Sequence, residues 1–93
     1  MPKKGERKVA PRIMYVLEQN NGVSMRFSDI FKGLAMQGWY HHQVPISKNL
    51  DFLVEQKKIV HIGNQYALIQ TRSDGSRFAI IKDSVEKIVE LDK

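Results

Sequence analysis

The chain has 93 residues, of which 42% are apolar and 27% are charged, so we expect one domain with a small hydrophobic core. It contains no cysteine, which excludes disulfides, thiolate metal sites and cysteine nucleophiles. No apolar run approaches the roughly 20 residues of a membrane span, and the N-terminus lacks the apolar segment of a secretory signal. We therefore expect a cytoplasmic protein without a membrane partner.

Basic residues outnumber acidic residues by 15 to 10, which gives a formal charge of +5. The excess lies before residue 83, because residues 1–82 carry 13 basic and six acidic side chains, a net charge of +7. Such a basic body suggests a polyanionic partner, of which nucleic acid is the commonest. Residues 1–8 are predicted to form a flexible basic arm, which either lies along phosphates or is simply solvated. Its basic residues are Lys3, Lys4, Arg7 and Lys8.

Two short helices are predicted in the first 38 residues. The first runs from Val9 to Gln19, because apolar residues recur on one face and Asn20-Asn21-Gly22 ends it. Val23–Arg26 is a connector or a small edge strand. The second helix begins at Ser28, whose hydroxyl can cap free amides, and Gly38 closes it.

A third helix and a hairpin follow. The helix runs from about Val44 to Lys57, with Ile46, Leu50 and Leu53 on its buried face. Two β-branched or aromatic segments, 59–62 and 65–69, are then joined by the two-residue turn Gly63-Asn64. These features predict a β-hairpin over residues 59–69.

The C-terminal segment allows two interpretations. Its apolar residues recur at intervals of three, four and three, as in a coiled-coil seam, which favours a helix from about Ser76 to Leu91. The alternative is a strand over 77–81 followed by a short helix capped by Asp83. The seam either forms a homodimer interface or packs on the chain's own first helix, and we favour the homodimer. The seam residues are Phe78, Ile81, Val85 and Ile88.

Three helices followed by a hairpin is the element order of a winged helix-turn-helix domain. Residues 45–68, PISKNLDFLVEQKKIVHIGNQYAL, resemble the third helix and wing of MarR-like and ArsR-like regulators. The matching positions are Ile46, Ser47, Lys48, Asn49, Leu50, Leu53, Ile59, Val60 and the Tyr66-Ala67-Leu68 run. The resemblance covers about residues 9–70 and implies an α+β winged helix domain over 9–75, followed by a C-terminal helix over 76–93. Two departures are Lys57-Lys58, where the family usually has Gly, and the long connector Gly38–Gln43.

The resemblance implies a sequence-selective protein that binds double-stranded DNA and regulates transcription, and the C-terminal seam favours a homodimer. The third helix would enter the major groove, and the wing, 59–69, would contact the backbone or the minor groove. Asp51 and Glu55 would avoid phosphate. The candidate base contacts, which offer amide, hydroxyl and ammonium groups, are Gln43, Ser47, Lys48 and Asn49. The candidate backbone contacts are Arg26, Ser28, Lys32, Asn64, Gln65, Arg72 and Arg77.

The alternative is a winged helix that docks on another protein and reads no bases, because fold alone does not determine function. The acidic residues on the third helix mildly favour it. We expect no enzyme, because there is no phosphate-binding Gly-rich loop and no apolar site with paired carboxylates. His41-His42 and His61 lack the spacing and the companion ligands of a metal site, so no metal or other cofactor is expected. No small-molecule ligand is evident.

Overall fold

The computed structural model describes residues 8–91, which form three helices and six short strands. The helices are α1 (Val9–Gln19), α2 (Phe27–Met36) and α3 (Gln43–Glu55). The strands are β1 (Met25–Arg26), β2 (Ile59–Ile62), β3 (Gln65–Leu68), β4 (Gln70–Thr71), β5 (Arg77–Lys82) and β6 (Glu86–Glu90). They make two antiparallel three-stranded sheets, ordered β1-β3-β2 and β4-β5-β6, so the fold is α+β. The basic residues Lys3, Lys4 and Arg7 of the predicted arm lie outside the described residues.

The three helices enclose the core. Each turns its apolar stripe inward, because residues three or four apart share a helix face. Gly33 lets α1 and α2 approach closely, since a Cβ at this position would lie 2.6 Å from a methyl group of Val16. The buried helix residues are Val9, Ile13, Val16, Leu17, Ile30, Leu34, Ile46, Leu50 and Leu53. None of the helices in residues 8–91 has both the length and the hydropathy needed to cross a bilayer.

The end of α3 shows how the chain closes a helix without glycine. Lys57 adopts the left-handed conformation, with φ of 58°, that is usually occupied by Gly at the end of a helix. The Lys57 N–H donates to the Val54 carbonyl, and the Lys58 N–H donates to the Leu53 carbonyl, both at 3.0 Å. This is the Schellman pattern, which also ends α1 and α2. Helix α3 therefore stops at the expected place, but on a lysine.

The start of α2 differs slightly from the prediction. The helix begins at Phe27 with Arg26 as its N-cap, so Ser28 lies inside the first turn and does not cap it. The Arg26 N–H donates to the Asp29 carboxylate at 3.3 Å, which satisfies the amide that precedes the helix. Asp29, and not Ser28, therefore supplies the side-chain hydrogen bond at the start of α2.

The first sheet packs one face on the helices. Ile59 of β2 lies in the core. Met25 of β1 and Tyr66 and Leu68 of β3 pack against the core from the neighbouring strands. The predicted hairpin is confirmed, with β2 and β3 joined across Gly63-Asn64. The opposite face is also covered, because Ala67 is fully buried there and β3 contacts β5.

The C-terminal helix that the spacing favoured is absent, and the segment is a hairpin of β5 and β6. The strand over 77–81 in the alternative interpretation is confirmed, but the short helix after it is wrong, because residues 86–90 form β6. The segment is rich in β-branched residues, and Ile80 lies directly across from Ile88. A spacing of three and four fits a helix, but three of the four spaced residues, Phe78, Ile81 and Ile88, pair across the two strands instead.

The predicted seam consequently does not form one surface. Phe78 and Ile88 lie on one face of the hairpin, whereas Ile81 lies on the other, because successive strand residues alternate. Val85 belongs to the turn between the strands and is exposed, as is Ile88. The helical seam that was predicted as a homodimer interface is therefore wrong, whereas a homodimer stays a prediction.

Ser24 joins the two sheets. It is buried just before β1, and its N–H donates to the Ile80 carbonyl at 2.9 Å. Its hydroxyl donates to the Gln65 side-chain oxygen and accepts from the Lys82 N–H. The C-terminal hairpin is thus fixed to the helical part of the molecule by hydrogen bonds at a buried residue.

Candidate nucleic-acid interface

The N-terminal half of α3 presents three of the four predicted base-contacting side chains to solvent. Gln43, Ser47 and Lys48 are exposed, while Ile46 and Leu50 hold the opposite face in the core. No side chain caps this end of the helix, so the N–H groups of its first turn add to the positive end of the helix dipole. The arrangement places exposed amide, hydroxyl and ammonium donors in the first two turns of α3, toward its electropositive end.

Asn49 differs from the other three residues. It is half-buried, and its amide donates to the Pro45 carbonyl one turn earlier, at 2.8 Å. The bond lies within α3 and satisfies a backbone oxygen near the helix start. A base contact from Asn49 would therefore have to break a hydrogen bond that the fold already uses.

The outer face of α3 also carries acidic and apolar side chains. Asp51 and Glu55 are exposed toward its C-terminal end. Val44 and Phe52 are 62% and 51% exposed, and both lie four residues from Lys48, on the same side of the helix. Only the first two turns of α3 are thus free of negative charge.

The candidate phosphate contacts at α2 are all accessible. Arg26, Ser28 and Lys32 are exposed, and the last two are one helical turn apart. Asn64 is exposed at the turn between β2 and β3. These four residues supply cations and hydrogen-bond donors on the helix before α3 and at the hairpin tip.

Gln65 is not a surface residue, which corrects its predicted phosphate contact. It is 9% exposed, and its side-chain oxygen accepts the Ser24 hydroxyl hydrogen bond. The prediction assumed that this face of the hairpin is solvated, whereas the second sheet covers it. The buried Gln65 side chain cannot reach phosphate unless its hydrogen bond to Ser24 breaks and the two sheets separate.

Arg72 is already neutralised by an acidic neighbour. Both of its terminal nitrogens lie 2.7 Å from the two Glu90 carboxylate oxygens, and its guanidinium lies 4.4 Å from the Phe78 ring centroid. The hydrogen bonds from Arg72 lower the pKa of Glu90. Arg77 is half-buried at the start of β5, and its carbonyl accepts the Leu91 N–H at 3.0 Å. The post-hairpin arginines are therefore structural parts of the second sheet.

A cluster between α1 and the α2–α3 connector was missed by the sequence analysis. The Arg12 guanidinium lies 3.0 Å from His41 Nε2 and 4.9 Å from the Trp39 ring centroid. Tyr15 meets Trp39 edge to face, with ring centroids 5.5 Å apart. Burial, followed by the positive charge of Arg12, lowers the pKa of His41. Arg12 and His41 are 29 positions apart, so no local pattern could have paired them.

A second aromatic pair lies on the first sheet. His61 stacks on Tyr66 across the β2–β3 pair, with ring centroids 4.2 Å apart. Burial raises the pKa of Tyr66, and the negative charge of Asp51 raises it further. The pair therefore lies within reach of the negative charge of Asp51. Within residues 8–91, no three His, Cys, Asp or Glu side chains are grouped to hold a metal ion.

Comparison with known proteins does not identify a family. No family model matches the chain, and no curated protein or solved structure matches it. Function must consequently be inferred from the residues and geometry described above.

Proposed function

We propose that this chain is a winged helix protein that binds double-stranded DNA through the N-terminal half of α3. The order α1-β1-α2-α3-β2-β3, with the sheet order β1-β3-β2, is compatible with that fold. In such domains the helix before the hairpin enters the major groove with its N-terminal residues toward the base edges. A role in transcription regulation follows if the binding is sequence-selective.

The observation that carries the proposal is the exposed trio Gln43, Ser47 and Lys48 at the open end of α3. Gln can bond adenine at two positions, Lys can donate to guanine, and Ser suits either a base or a phosphate. Arg26, Lys32 and the accessible end of the hairpin would contact the backbone and orient the protein. Asn49 and Gln65 are omitted from this interface because both side chains are hydrogen-bonded inside the protein.

A salt titration tests the proposal. Binding of a fluorescent duplex should weaken steeply as salt rises, because each neutralised phosphate releases condensed counterions.

Lys48→Ala should change which sequences are selected from a random duplex pool, whereas Lys4→Ala should weaken binding to all sequences alike. Lys87→Ala, on β6, is the matched control and should change neither property. No binding to random duplex at low salt would refute DNA binding.

A second candidate is a protein-docking module. It is favoured by the exposed Val44 and Phe52 and by the acidic Asp51 and Glu55 on the same helix. Exposed apolar groups bounded by charge suit a protein partner better than a phosphate backbone. Phe52→Ser separates the two candidates, since it should leave duplex affinity nearly unchanged if the first turns of α3 bind DNA.

A further inference from the structure

We propose that Arg12 and His41 are positioning residues that hold the N-terminal end of α3 only while His41 is neutral, so that acid weakens duplex binding. The inference rests on the proposed function for its effect on DNA. Its structural part, a pH-sensitive clamp between α1 and the connector, can be measured in the protein alone.

The clamp acts directly before the proposed binding helix. His42 is the N-cap of α3 and Gln43 is its first residue, so His41 is one residue from the helix. Ile46 anchors the same end from inside the core. Arg12 reaches His41 from α1. The buried side chains of Val9 and Ile13, before and after Arg12 in the sequence, hold this part of α1 in the core. The connector is thus fixed to the most deeply packed helix at the point where α3 begins.

The Arg12–His41 contact defines the protonation state of the ring. Arginine carries only donors, so His41 Nε2 must accept, and the ring is neutral with its proton on Nδ1. Protonation of Nε2 removes the acceptor and places two cations 3.0 Å apart. Arg12 also stacks over Trp39, so its displacement changes the surroundings of that indole.

The charged surroundings of His41 favour the neutral ring. Arg12 is the charged group whose field acts on it from α1, and the next cation along that helix is Lys8 at its N-cap. On the connector, Tyr40 and His42 are its neighbours, and both are exposed. Because burial and Arg12 together lower the pKa of His41, the clamp persists at neutral pH and opens in mild acid.

The direction in which acid changes DNA affinity distinguishes opening of the clamp from a general increase in positive charge. Protonation of exposed histidines adds positive charge and should tighten DNA binding in acid. Opening of the clamp has the opposite sign. We expect the dissociation constant for a duplex to rise about 10-fold as the pH falls from roughly 8 through the lowered pKa of His41, at constant ionic strength.

The first experiment follows Trp39, the single tryptophan of the chain, by fluorescence in the absence of DNA. Its emission should titrate in mild acid in the wild type. His41→Gln should abolish this transition, because a carboxamide oxygen accepts from Arg12 without titrating. His42→Gln and His61→Gln are controls that should keep it. A transition that is missing in the wild type, or that persists in His41→Gln, would overturn the clamp.

The second experiment measures duplex affinity across the same pH range. His41→Gln should bind in acid as it binds at roughly pH 8, whereas Arg12→Met should bind weakly throughout. Equal pH profiles for the wild type and His41→Gln would overturn the positioning role even if Trp39 titrates. If no variant binds duplex at any pH, the proposed function has failed, and the fluorescence result still decides the clamp.

Discussion

At the scale of single residues, Lys57 carries a conformational cost that another residue would avoid. Its left-handed φ of 58° closes α3, and this conformation costs a non-glycine residue about 1 kcal/mol. Lys57→Gly removes that cost, although it also makes the unfolded chain more flexible. We expect a net stabilisation of about 0.5 kcal/mol, which would raise the melting temperature by roughly 2–4 °C.

Lys58→Gly is the matched control for this prediction. Lys58 is the next residue, is equally exposed and does not have a positive φ, so glycine should not stabilise the protein there. Thermal denaturation followed by circular dichroism measures both variants. Destabilisation by Lys57→Gly would show that the lysine side chain contributes more than its backbone conformation costs.

Residues that act locally were easier to predict than residues that act across the fold. The exposure of Ser47 and Lys48 follows from their angle to the apolar stripe of one helix. The hydrogen bond of Gln65 to Ser24 spans 41 positions, and no pattern within the hairpin indicates it. The site was therefore predictable where one element determines it, and not where two distant segments meet.

At the scale of elements, the helices and the first hairpin follow from strong local signals. Helix α1 was predicted with both of its ends, because an apolar stripe of period 3.6 is followed by Asn20-Asn21-Gly22. The C-terminal segment carries conflicting signals. Its spacing fits a helix, but adjacent β-branched residues, such as Ile80 and Ile81, favour a strand. Pairing with β4 and the contact with Ser24 decide between them, and both are tertiary interactions.

The second hairpin should respond to acid through Glu90. Hydrogen bonds from Arg72 lower the pKa of Glu90 in the folded protein below its ordinary value of 4.5. A carboxylate with a lowered pKa stabilises the fold above that ordinary value, and the contribution is lost as pH falls through the folded pKa. Wild type should therefore be more stable than Glu90→Gln at pH 7, and the difference should vanish as the pH falls through the lowered pKa of Glu90.

Melting curves of both proteins across this pH range measure the effect of the Arg72–Glu90 pair. Glu86→Gln is the control, because Glu86 is also exposed and lies at the other end of β6 from Glu90 and its partner Arg72. It should not reproduce the pH-dependent difference. If Glu90→Gln and the wild type lose stability in parallel from pH 7 to pH 3, the ion pair does not contribute to the hairpin.

At the scale of the whole molecule, stability depends on how the second sheet is fixed to the helical part. The hydrogen bonds of Ser24 link β1, β3 and β5 at one buried position, 7% exposed. Ser24→Ala keeps the backbone bond to Ile80 but leaves the Gln65 oxygen and the Lys82 N–H without the hydroxyl. Loss of partners for buried polar groups costs about 1–3 kcal/mol, which is a large part of the stability of a small domain.

In urea denaturation, Ser24→Ala should be less stable than the wild type by about 1–3 kcal/mol. Ser28→Ala, at an exposed position on α2, is the control and should change stability by less than about 0.5 kcal/mol.

Hydrogen exchange locates the loss of stability within the fold. If Ser24 fixes the sheets to each other, the amides of β5 and β6 should exchange faster in Ser24→Ala, while those of α1 and α3 keep most of their relative protection. A uniform increase over all elements would mean that the two sheets unfold as one unit, and unchanged stability would show that the Ser24 hydroxyl does not hold the two sheets together.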